Sequence, residues 1–289
     1  MIAQTECRRV AIVGIGLIGG SFGLALRREF PTARVVGFDR ADVLERALAR
    51  GAISEAASDI ASAVRWSDLV YIALPIGATV DMLPKIAEVA DGNTLVTDTG
   101  STKALICQQA QKYFRAGTRF LGGHPMAGKE ISGIEHADAD LFRDSRYALM
   151  ASENDPDPRV GQFAALLQRI GAEPVWCDAE THDWAVGIVS HLPQLASVAL
   201  AHVVADETDE TGLPLTLAGP GIADMLRLAG SPYEIWRDTC LTNRENIAHA
   251  LDRLTQAIEY LRTRLASKDL EQEFDTANEI YRALRNKSL

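Results

Sequence analysis

The segment FLGGHPMAGKE, residues 120–130, places His124 between a glycine pair and a proline. Glycines have no side chain, so they leave space beside the imidazole for a ligand. A neutral imidazole can take the proton of a substrate hydroxyl while a carbonyl forms. The residue types around His124 therefore indicate an acid/base residue rather than a histidine buried for structural reasons.

A second group of residues, in VAIVGIGLIGGSFGLALRR, is typical of dinucleotide binding. Gly14, Gly16 and Gly19 form the G-x-G-x-x-G pattern after a strand and at the start of a helix. Gly14 allows a tight turn, Gly16 lets the backbone approach a pyrophosphate, and Gly19 permits close packing of the helix on the strand. Leu17 and Ile18, between the last two glycines, belong to the same predicted cofactor site.

Asp39 follows at the end of the next strand pattern, 20 residues after Gly19. Its carboxylate can accept hydrogen bonds from the adenine ribose hydroxyls and would repel a 2′-phosphate. The pattern therefore favours NAD over NADP. Arg40 leaves NADP open, because a guanidinium there could pair with the extra phosphate.

Regular elements must position these residues. Short apolar, β-branched runs alternate with helical stretches from Arg8 to about Asp178, which predicts a mostly parallel sheet covered by helices. The runs are RRVAIVG, ARVVGFD, DLVYIALP, NTLVTDTG, TRFLGGH, RYALMAS and AEPVWCD. Ligands bind outside the carboxyl ends of such strands. We expect Pro75, Ser101 and His124, each at the end of a run, to face one crevice.

The strand patterns stop near Asp178. The fold class is thus an α/β Rossmann-type parallel-sheet domain over residues 1–178, followed by an all-α domain over residues 179–289. The predicted helices cover 181–206, a broken stretch at 212–232, 233–265 and 268–285. The helix predicted over 233–265 carries one apolar stripe, which includes Trp236.

Composition narrows the class of protein. The net charge of −10 argues against nucleic acid as the main partner, because phosphate binding needs a concentrated basic face. The cysteines lie far apart without metal-site spacing, which predicts reduced thiols and no bound metal. They are Cys7, Cys107, Cys177 and Cys240.

One segment, Trp184 to Ala205, has no charged residue and is long enough to span a bilayer. It also contains Ser190 and Gln194, which are costly in lipid. We therefore expect a buried helix, with a place between subunits as one option, and no membrane span. The N-terminus lacks the apolar run of a signal peptide, so a cytoplasmic protein is expected.

Five motifs together resemble the prephenate/arogenate dehydrogenase family of tyrosine biosynthesis. They are VGIGLIGGS, TDTGSTK, GGHPMAGKE, HDWAVGIVSHLP and IWRD, in this order. The resemblance implies a Rossmann domain, a helical dimerisation domain that forms a homodimer, and NAD(P)-dependent oxidative decarboxylation of a cyclohexadienyl ring.

The resemblance also implies roles for single residues. His124 would deprotonate the C4 hydroxyl while hydride leaves C4 and carbon dioxide leaves C1. Ser101 would contact both His124 and that hydroxyl, and it could also cap the helix that follows. Arg227 would bind a substrate carboxylate, for which a guanidinium fork is suited. Trp236 would lie near the site.

The resemblance implies site roles for four further residues, and the sequence leaves an alternative role open for each of them. His182 and Ser190 are separated by eight residues, or about 80° around a helix, so both could face one cleft if Pro193 opens the helix beyond them. Glu130 and Asp224 correspond to an acidic network that gates access, although both could be ordinary surface charges.

Two positions depart from the family pattern. Lys129 replaces the usual Ser or Thr of HPxAG[ST], and Gln194 follows SHLP where many members have His. A cation facing the cleft would attract the anionic side chain of prephenate and repel the ammonium of arogenate. We therefore predict prephenate as the preferred substrate, with arogenate or dual specificity as the alternative.

Two other functions remain to be compared. A β-hydroxyacid dehydrogenase of similar plan would need a lysine acid/base on a helix of the second domain, and no convincing candidate is found. An NAD-sensing regulator would need a basic DNA-binding module, which the composition does not support.

Overall fold

Six parallel strands form the main sheet of the N-terminal part. The computed structural model describes residues 9–114, 117–129, 131–266 and 270–285. The strands are β1 (Arg9–Val13), β2 (Arg34–Phe38), β3 (Glu55–Ala56), β4 (Leu69–Ile72), β5 (Leu95–Asp98) and β6 (Arg119–Leu121). Their order in the sheet is β3-β2-β1-β4-β5-β6, as in a Rossmann-type sheet whose order reverses beside β1. The predicted parallel sheet is confirmed, and the two-residue β3 is an addition.

Helices cover both faces of this sheet. They are α1 (Leu17–Glu29), α2 (Ala41–Ala49), α3 (Ile60–Val64), α4 (Ile76–Val89), α5 (Ala104–Tyr113) and α6 (Pro158–Arg169). One core cluster surrounds Phe22 and Tyr71, whose rings stack 3.8 Å apart, and the other surrounds Leu83 and Val96. Burial of these apolar side chains holds the carboxyl edge of the sheet in place.

The predicted strand TRFLGGH is divided between two sheets. The chain leaves the main sheet after Leu121 and forms β7 (Gly123–Pro125), which pairs antiparallel with β8 (Arg146–Leu149). A parallel strand, β9 (Glu173–Trp176), completes this three-stranded sheet. His124 therefore lies on an edge strand of a second sheet and not at the end of a main-sheet strand. The two sheets meet where the Gly123 N–H donates to Asp98 Oδ1 at 3.2 Å.

Helices make up the rest of the described chain after β9. They are α7 (Ala179–Val186), a π-helical turn (Gly187–His191), α8 (Leu192–Asp206), α9 (Leu213–Thr216), α10 (Pro220–Leu226), a 3-10 turn (Leu228–Gly230), α11 (Tyr233–Thr242), α12 (Arg244–Arg264) and α13 (Glu271–Arg285). The helical class of this part agrees with the prediction.

The prediction of a single helix over 233–265 is wrong. The helical conformation breaks at Asn243, where φ is −118° and ψ is 26°, and this part of the chain forms two helices, α11 and α12. Asn243 is buried, and its side-chain amide donates to the Asp183 carbonyl oxygen at 2.7 Å. A tertiary hydrogen bond thus fixes a backbone conformation that the apolar spacing does not reveal.

The apolar helical run is not buried within one chain. Residues Ala179–Asp206 are long and apolar enough to span a membrane by length and composition, but only 17% of the apolar window is buried. Val189 is 69% exposed and Val203 is 58% exposed. The expectation of a buried helix is therefore wrong for the single chain. Cys107, Cys177 and Cys240 are free thiols, as expected, and Cys7 lies outside the described residues.

Candidate active site

Two histidines and one carboxylate form a hydrogen-bonded chain. Nδ1 of His124 lies 2.9 Å from Nε2 of His182, and Nδ1 of His182 lies 2.8 Å from Oδ1 of Asp183. His124 belongs to β7, whereas the other two residues belong to α7. The chain therefore connects the sheet-bearing part to the helical part. It also leaves Nε2 of His124 as the ring nitrogen that His182 does not engage.

A buried ion pair supports the backbone next to His124. The Lys103 ammonium contacts the Asp98 carboxylate, and both side chains are fully buried. The same ammonium donates to the Gly123 carbonyl oxygen at 2.8 Å. Breaking such a pair leaves an uncompensated buried charge. Asp98 and Lys103 thus fix the position at which β7 begins.

The surroundings of His124 keep its imidazole neutral. Burial is the main cause that lowers the pKa of His124 well below its ordinary value. Repulsion from His182, Lys103 and His191 acts in the same direction. An imidazole with a lowered pKa is available as a proton acceptor at neutral pH.

Ser101 does not hydrogen-bond to His124 in this structure. Its hydroxyl is paired with the Thr239 hydroxyl, with 2.8 Å between the two oxygens. The expected direct contact between Ser101 and His124 is therefore wrong for this structure, because Thr239 on α11 takes the hydroxyl. Ser101 also precedes α5 without capping it, since the N-cap residue is Lys103 and has no capping side-chain hydrogen bond.

Polar contacts hold helix α11 against the carboxyl ends of the main-sheet strands. Besides Thr239, its Asp238 carboxylate accepts from the Gly77 N–H at 3.0 Å, at the start of α4. The Thr242 hydroxyl lies 2.7 Å from the Thr102 hydroxyl. These contacts place the helical part directly over the crevice at the carboxyl edge of the sheet.

His191 is held neutral and turned toward Trp236. Burial lowers the pKa of His191 to about 4. The side-chain nitrogen of Asn243 faces the Asp183 carbonyl oxygen, which only accepts, so this nitrogen is a donor. It also donates to His191 Nδ1 at 3.1 Å. The rings of His191 and Trp236 meet edge to face with their centroids 5.9 Å apart. Trp236 thus packs beside the SHLP motif.

The predicted angle between His182 and Ser190 is wrong. It assumed a regular α-helix, but a π-helical turn from Gly187 to His191 separates the two residues and changes the angle between their side chains. Pro193 lies in the first turn of α8, so the helix continues and does not open there. Ser190 is partly buried in the π turn, and π turns are frequent at functional sites.

Gln194 has one unused hydrogen-bonding group. It is 3% exposed, and its amide nitrogen donates to the Leu228 carbonyl oxygen at 2.9 Å. Its Oε1 is buried and has no hydrogen-bond partner among the described residues. A buried acceptor left unpaired is costly unless a ligand supplies a donor.

Three other predicted site residues lie on the surface of the helical part or outside the described residues. Arg227 and Asp224 lie exposed at and near the end of α10, and the Asp224 carbonyl accepts from the Arg227 N–H at 3.4 Å. Glu130 lies outside the described residues. The predicted gating network and the carboxylate-binding role of Arg227 therefore remain predictions.

Lys129 lies at the surface beside an acidic residue. Its ammonium is 3.7 Å from Asp138 Oδ2, and both side chains are more than 40% exposed. A surface pair of this kind is weak and is screened by water. The attraction of Lys129 for an anionic substrate side chain stays a prediction.

The glycine-rich turn has the shape that a dinucleotide needs. Gly14 has a φ of +92°, and a Cβ there would lie 2.4 Å from the Ala73 carbonyl oxygen. A Cβ at Gly19 would lie 1.9 Å from the Gly14 carbonyl oxygen, whereas a Cβ at Gly16 would meet nothing within 4 Å. The first and third glycines therefore serve packing, and Gly16 faces open space before α1. Leu17 begins that helix, which has no acidic residue in its first turn.

Asp39 is oriented by the same turn. Its Oδ2 accepts from the Ile15 N–H at 2.6 Å, and its Oδ1 accepts from the Arg40 N–H at 2.7 Å. The Arg40 guanidinium is exposed, with Nε 3.8 Å from Asp42 Oδ1. Pro75 is exposed at the N-cap of α4 and follows β4, the strand that pairs with β1. The residues present fit a dinucleotide with its pyrophosphate at Gly16 and its ribose at Asp39.

Several residues of the site were missed from the sequence. Asp183 stands directly beside His182 as the last charged residue before a long uncharged run, and that isolation was a usable signal. Asp98 and Lys103 lie inside the quoted TDTGSTK motif but had no assigned role. Nothing in the local sequence marks Thr239 or Asn243.

Comparison with known proteins assigns both parts of the chain. A family model described as the nucleotide-binding domain of prephenate dehydrogenase matches residues 22–175, and one described as its dimerization domain matches residues 178–279. Prephenate dehydrogenase of Bacillus subtilis is 32% identical over 92% of this chain and 72% of that protein.

Two solved structures have the same fold over almost the whole chain. Prephenate dehydrogenase of Aquifex aeolicus, in complex with hydroxyphenyl propionate and NAD+, is 26% identical with a TM-score of 0.86, covering 97% of this chain and 98% of that one. Synechocystis arogenate dehydrogenase is 27% identical with a TM-score of 0.81, covering 97% of this chain and 100% of that one.

Proposed function

Because the chain belongs to the prephenate dehydrogenase family, we propose that it oxidises prephenate with NAD and releases carbon dioxide, forming 4-hydroxyphenylpyruvate. As a member it is an oxidoreductase with a nucleotide-binding domain. The observation that carries the proposal is the position of His124, held by His182 beside the crevice where the helical part meets the sheet.

His124 acts as the general base in this proposal. Its Nε2 accepts the proton of the C4 hydroxyl as the C4 carbonyl forms. When the C1 carboxylate leaves as carbon dioxide, its bonding electrons convert the carbonyl into a phenolate, which takes the proton back from His124 and becomes the phenol. Bound NAD would accept the hydride from C4. Aromatisation of the ring supplies the driving force. The lowered pKa of His124 keeps its imidazole unprotonated at neutral pH, as a base in this role requires.

The described residues support NAD as the cofactor. The open space at Gly16, ahead of the N-terminus of α1, would hold the pyrophosphate. Asp39 would accept from the adenine ribose hydroxyls, since each carboxylate oxygen retains a second lone pair beside its backbone donor. Arg40 faces Asp42 on the surface, so the argument for NADP is the weaker one.

Prephenate is proposed as the preferred substrate because the relative at 32% identity is a prephenate dehydrogenase. Arg227 would bind one of its carboxylates through the guanidinium, with Ser190 and Trp236 lining the ring. Ser101 would turn from Thr239 to the substrate hydroxyl when the ligand is bound. These roles rest on the matching motifs and on the placement of the helical part over the crevice.

One observation favours arogenate as a second candidate. The buried Oε1 of Gln194 lacks a donor among the described residues, and an ammonium group would supply one. The Lys129 ammonium, paired with Asp138, would not repel it strongly. These two facts would explain a protein that oxidises both prephenate and arogenate.

We also propose that the protein is a cytoplasmic homodimer formed through the helices after β9. Large apolar side chains there are exposed in the single chain, among them Trp184, Val189 and Val203. A matching surface on a second copy of the chain would bury these side chains and cover the apolar face of the run Ala179–Asp206. Sedimentation equilibrium should then give twice the mass of the chain.

The test is a substrate panel with the purified protein. NADH formation is followed with prephenate, arogenate and a 3-hydroxyacid, each with NAD and with NADP, and the products are identified by mass spectrometry. The proposal expects the highest kcat/KM with prephenate and NAD. A higher kcat/KM with arogenate would replace the first candidate by the second, and activity with the 3-hydroxyacid alone would overturn both.

A further inference from the structure

Asp183 is a buried carboxylate that accepts hydrogen bonds on both of its oxygens. It is 2% exposed, and its Oδ1 accepts from the Lys103 N–H at 2.7 Å while its Oδ2 accepts from the Ala104 N–H at 2.9 Å. Both donors lie at the N-terminus of α5, where a negative charge is favoured by the helix dipole. The carboxylate of α7 thus caps a helix of the other part of the chain, and its orientation is fixed from two sides.

The backbone of the same residue is also held. Its carbonyl oxygen accepts from the Asn243 side chain at 2.7 Å, at the break between α11 and α12. Side chain and main chain of Asp183 are therefore both engaged, so that it cannot turn away from its third donor, Nδ1 of His182 at 2.8 Å.

These contacts favour one arrangement of the histidine protons. A carboxylate oxygen accepts from a ring N–H, so a proton on Nδ1 of His182 satisfies the contact with Asp183 and leaves Nε2 as the acceptor when the ring carries that one proton. Nδ1 of His124 must then be the donor across the 2.9 Å contact. The one lone pair left on the His124 ring is at Nε2, the nitrogen that the base role requires.

We propose that Asp183 is a positioning residue for the reaction: through His182 it holds His124 in the tautomer whose Nε2 is unprotonated. The proposal rests on the proposed function of His124. It extends that function by giving a role to a carboxylate that touches neither substrate nor cofactor. The same carboxylate makes this tautomer depend on the docking of α7 against α5.

The variant Asp183→Ala removes the acceptor. His182 is then free to carry its proton on Nε2 and to donate to His124 Nδ1, which would place a proton on His124 Nε2 and block it as a base. We expect kcat to fall by about 10²–10⁴-fold, as for loss of a positioned base or its tautomer. The dissociation constant for NAD should change by less than about threefold, since its proposed binding residues lie elsewhere.

The matched control is Asp178→Ala. Asp178 is also a helix-capping aspartate, with its carboxylate accepting from the Thr181 N–H at 2.8 Å at the start of α7. It caps the same helix that carries His182, and its side chain has no hydrogen bond to a histidine among the described contacts. Its carbonyl oxygen accepts from the His182 N–H at 3.0 Å, and the alanine variant keeps that contact. Loss of this cap should lower the stability of the protein and leave kcat unchanged.

The decisive measurement is the nitrogen-15 NMR spectrum of the histidine rings, because the chemical shift separates a protonated from an unprotonated ring nitrogen. His182→Gln and His124→Gln proteins assign the signals. In the wild type both histidines should carry the proton on Nδ1, and in Asp183→Ala the proton of His182 should move to Nε2. This readout would not respond to a merely structural role.

Three results would overturn the proposal: a wild-type His182 protonated on Nε2, an unchanged kcat in Asp183→Ala, or a fall in kcat while both tautomers stay as in the wild type. If Asp183→Ala does not fold, the wild-type spectrum still decides. A wild type that oxidises neither prephenate nor arogenate would refute the proposed function, while the spectrum would still report on Asp183.

Discussion

His124 and His182 face each other through ring nitrogens 2.9 Å apart, although one lies on a β-strand and the other on the first helix of the second part. The proposed base is thus held by a residue from across the crevice. Its protonation and its position therefore both depend on how the helical part docks.

The pH dependence of kcat/KM should reflect the lowered pKa of His124. A base is active when unprotonated, and a lowered pKa keeps it so down to more acidic pH. Activity should therefore be constant from neutral pH to below about 6.5, the ordinary value for histidine, and should fall only as the pH drops through the lower pKa. An acid limb centred at or above the ordinary value would contradict this assignment.

The stability of the protein should fall at acidic pH through His191. The pKa of His191 is about 4 in the folded protein, against about 6.5 when unfolded. Since the unfolded chain gains the proton first, the stabilisation is complete above about pH 6.5 and is lost as the pH falls to about 4, by up to about 3 kcal/mol.

Urea unfolding at several pH values measures this effect. The control is His191→Asn, which keeps an acceptor for Asn243 but does not titrate. Its free energy of unfolding should depend less steeply on pH than that of the wild type. Equal slopes for the two proteins would show that His191 is not responsible.

Cofactor preference should depend on the charge of Asp39. In Asp39→Asn the amide oxygen can still accept from the Ile15 N–H, which is 2.6 Å away from the wild-type carboxylate, but the negative charge is lost. The ratio of kcat/KM for NADP to that for NAD should rise about tenfold or more, because one charge at about 5 Å and an effective dielectric of about 20 is worth about 3 kcal/mol before screening.

The control for that experiment is Glu45→Gln, which removes an equal charge on α2. Glu45 is exposed and contacts neither Arg40 nor the glycine-rich turn among the described contacts. It should leave the ratio unchanged. If both variants shift the ratio equally, a general field effect and not the ribose contact of Asp39 is at work.

The sheet was predictable because its strands are apolar on both faces, a pattern that few other structures produce. The short β3 was not, since Glu55–Ala56 lacks β-branched residues. The division of TRFLGGH was hidden because a glycine pair permits both a strand and a bend. Here the packing of Gly123 against the Asp98 carbonyl, 2.7 Å from where a Cβ would lie, determines the outcome.

The site was predictable only as far as motifs are local. His124 and the glycine-rich turn are recognised from their immediate neighbours. The roles of Asp183, Thr239 and Asn243 depend on residues far away in the sequence, such as Ser101 paired with Thr239 over 138 positions. The ion pair of Lys129 was not predictable for the same reason, because Asp138 lies outside its motif.

His124 is the proposed base, and His124→Asn removes its acceptor nitrogen. The asparagine amide can still donate to His182 Nε2, so the contact is kept while the lone pair at Nε2 is lost. With prephenate and NAD, the rate of NADH formation should fall by about 10²–10⁴-fold relative to the wild type, with an unchanged dissociation constant for NAD. A variant with the kcat of the wild type would contradict the account.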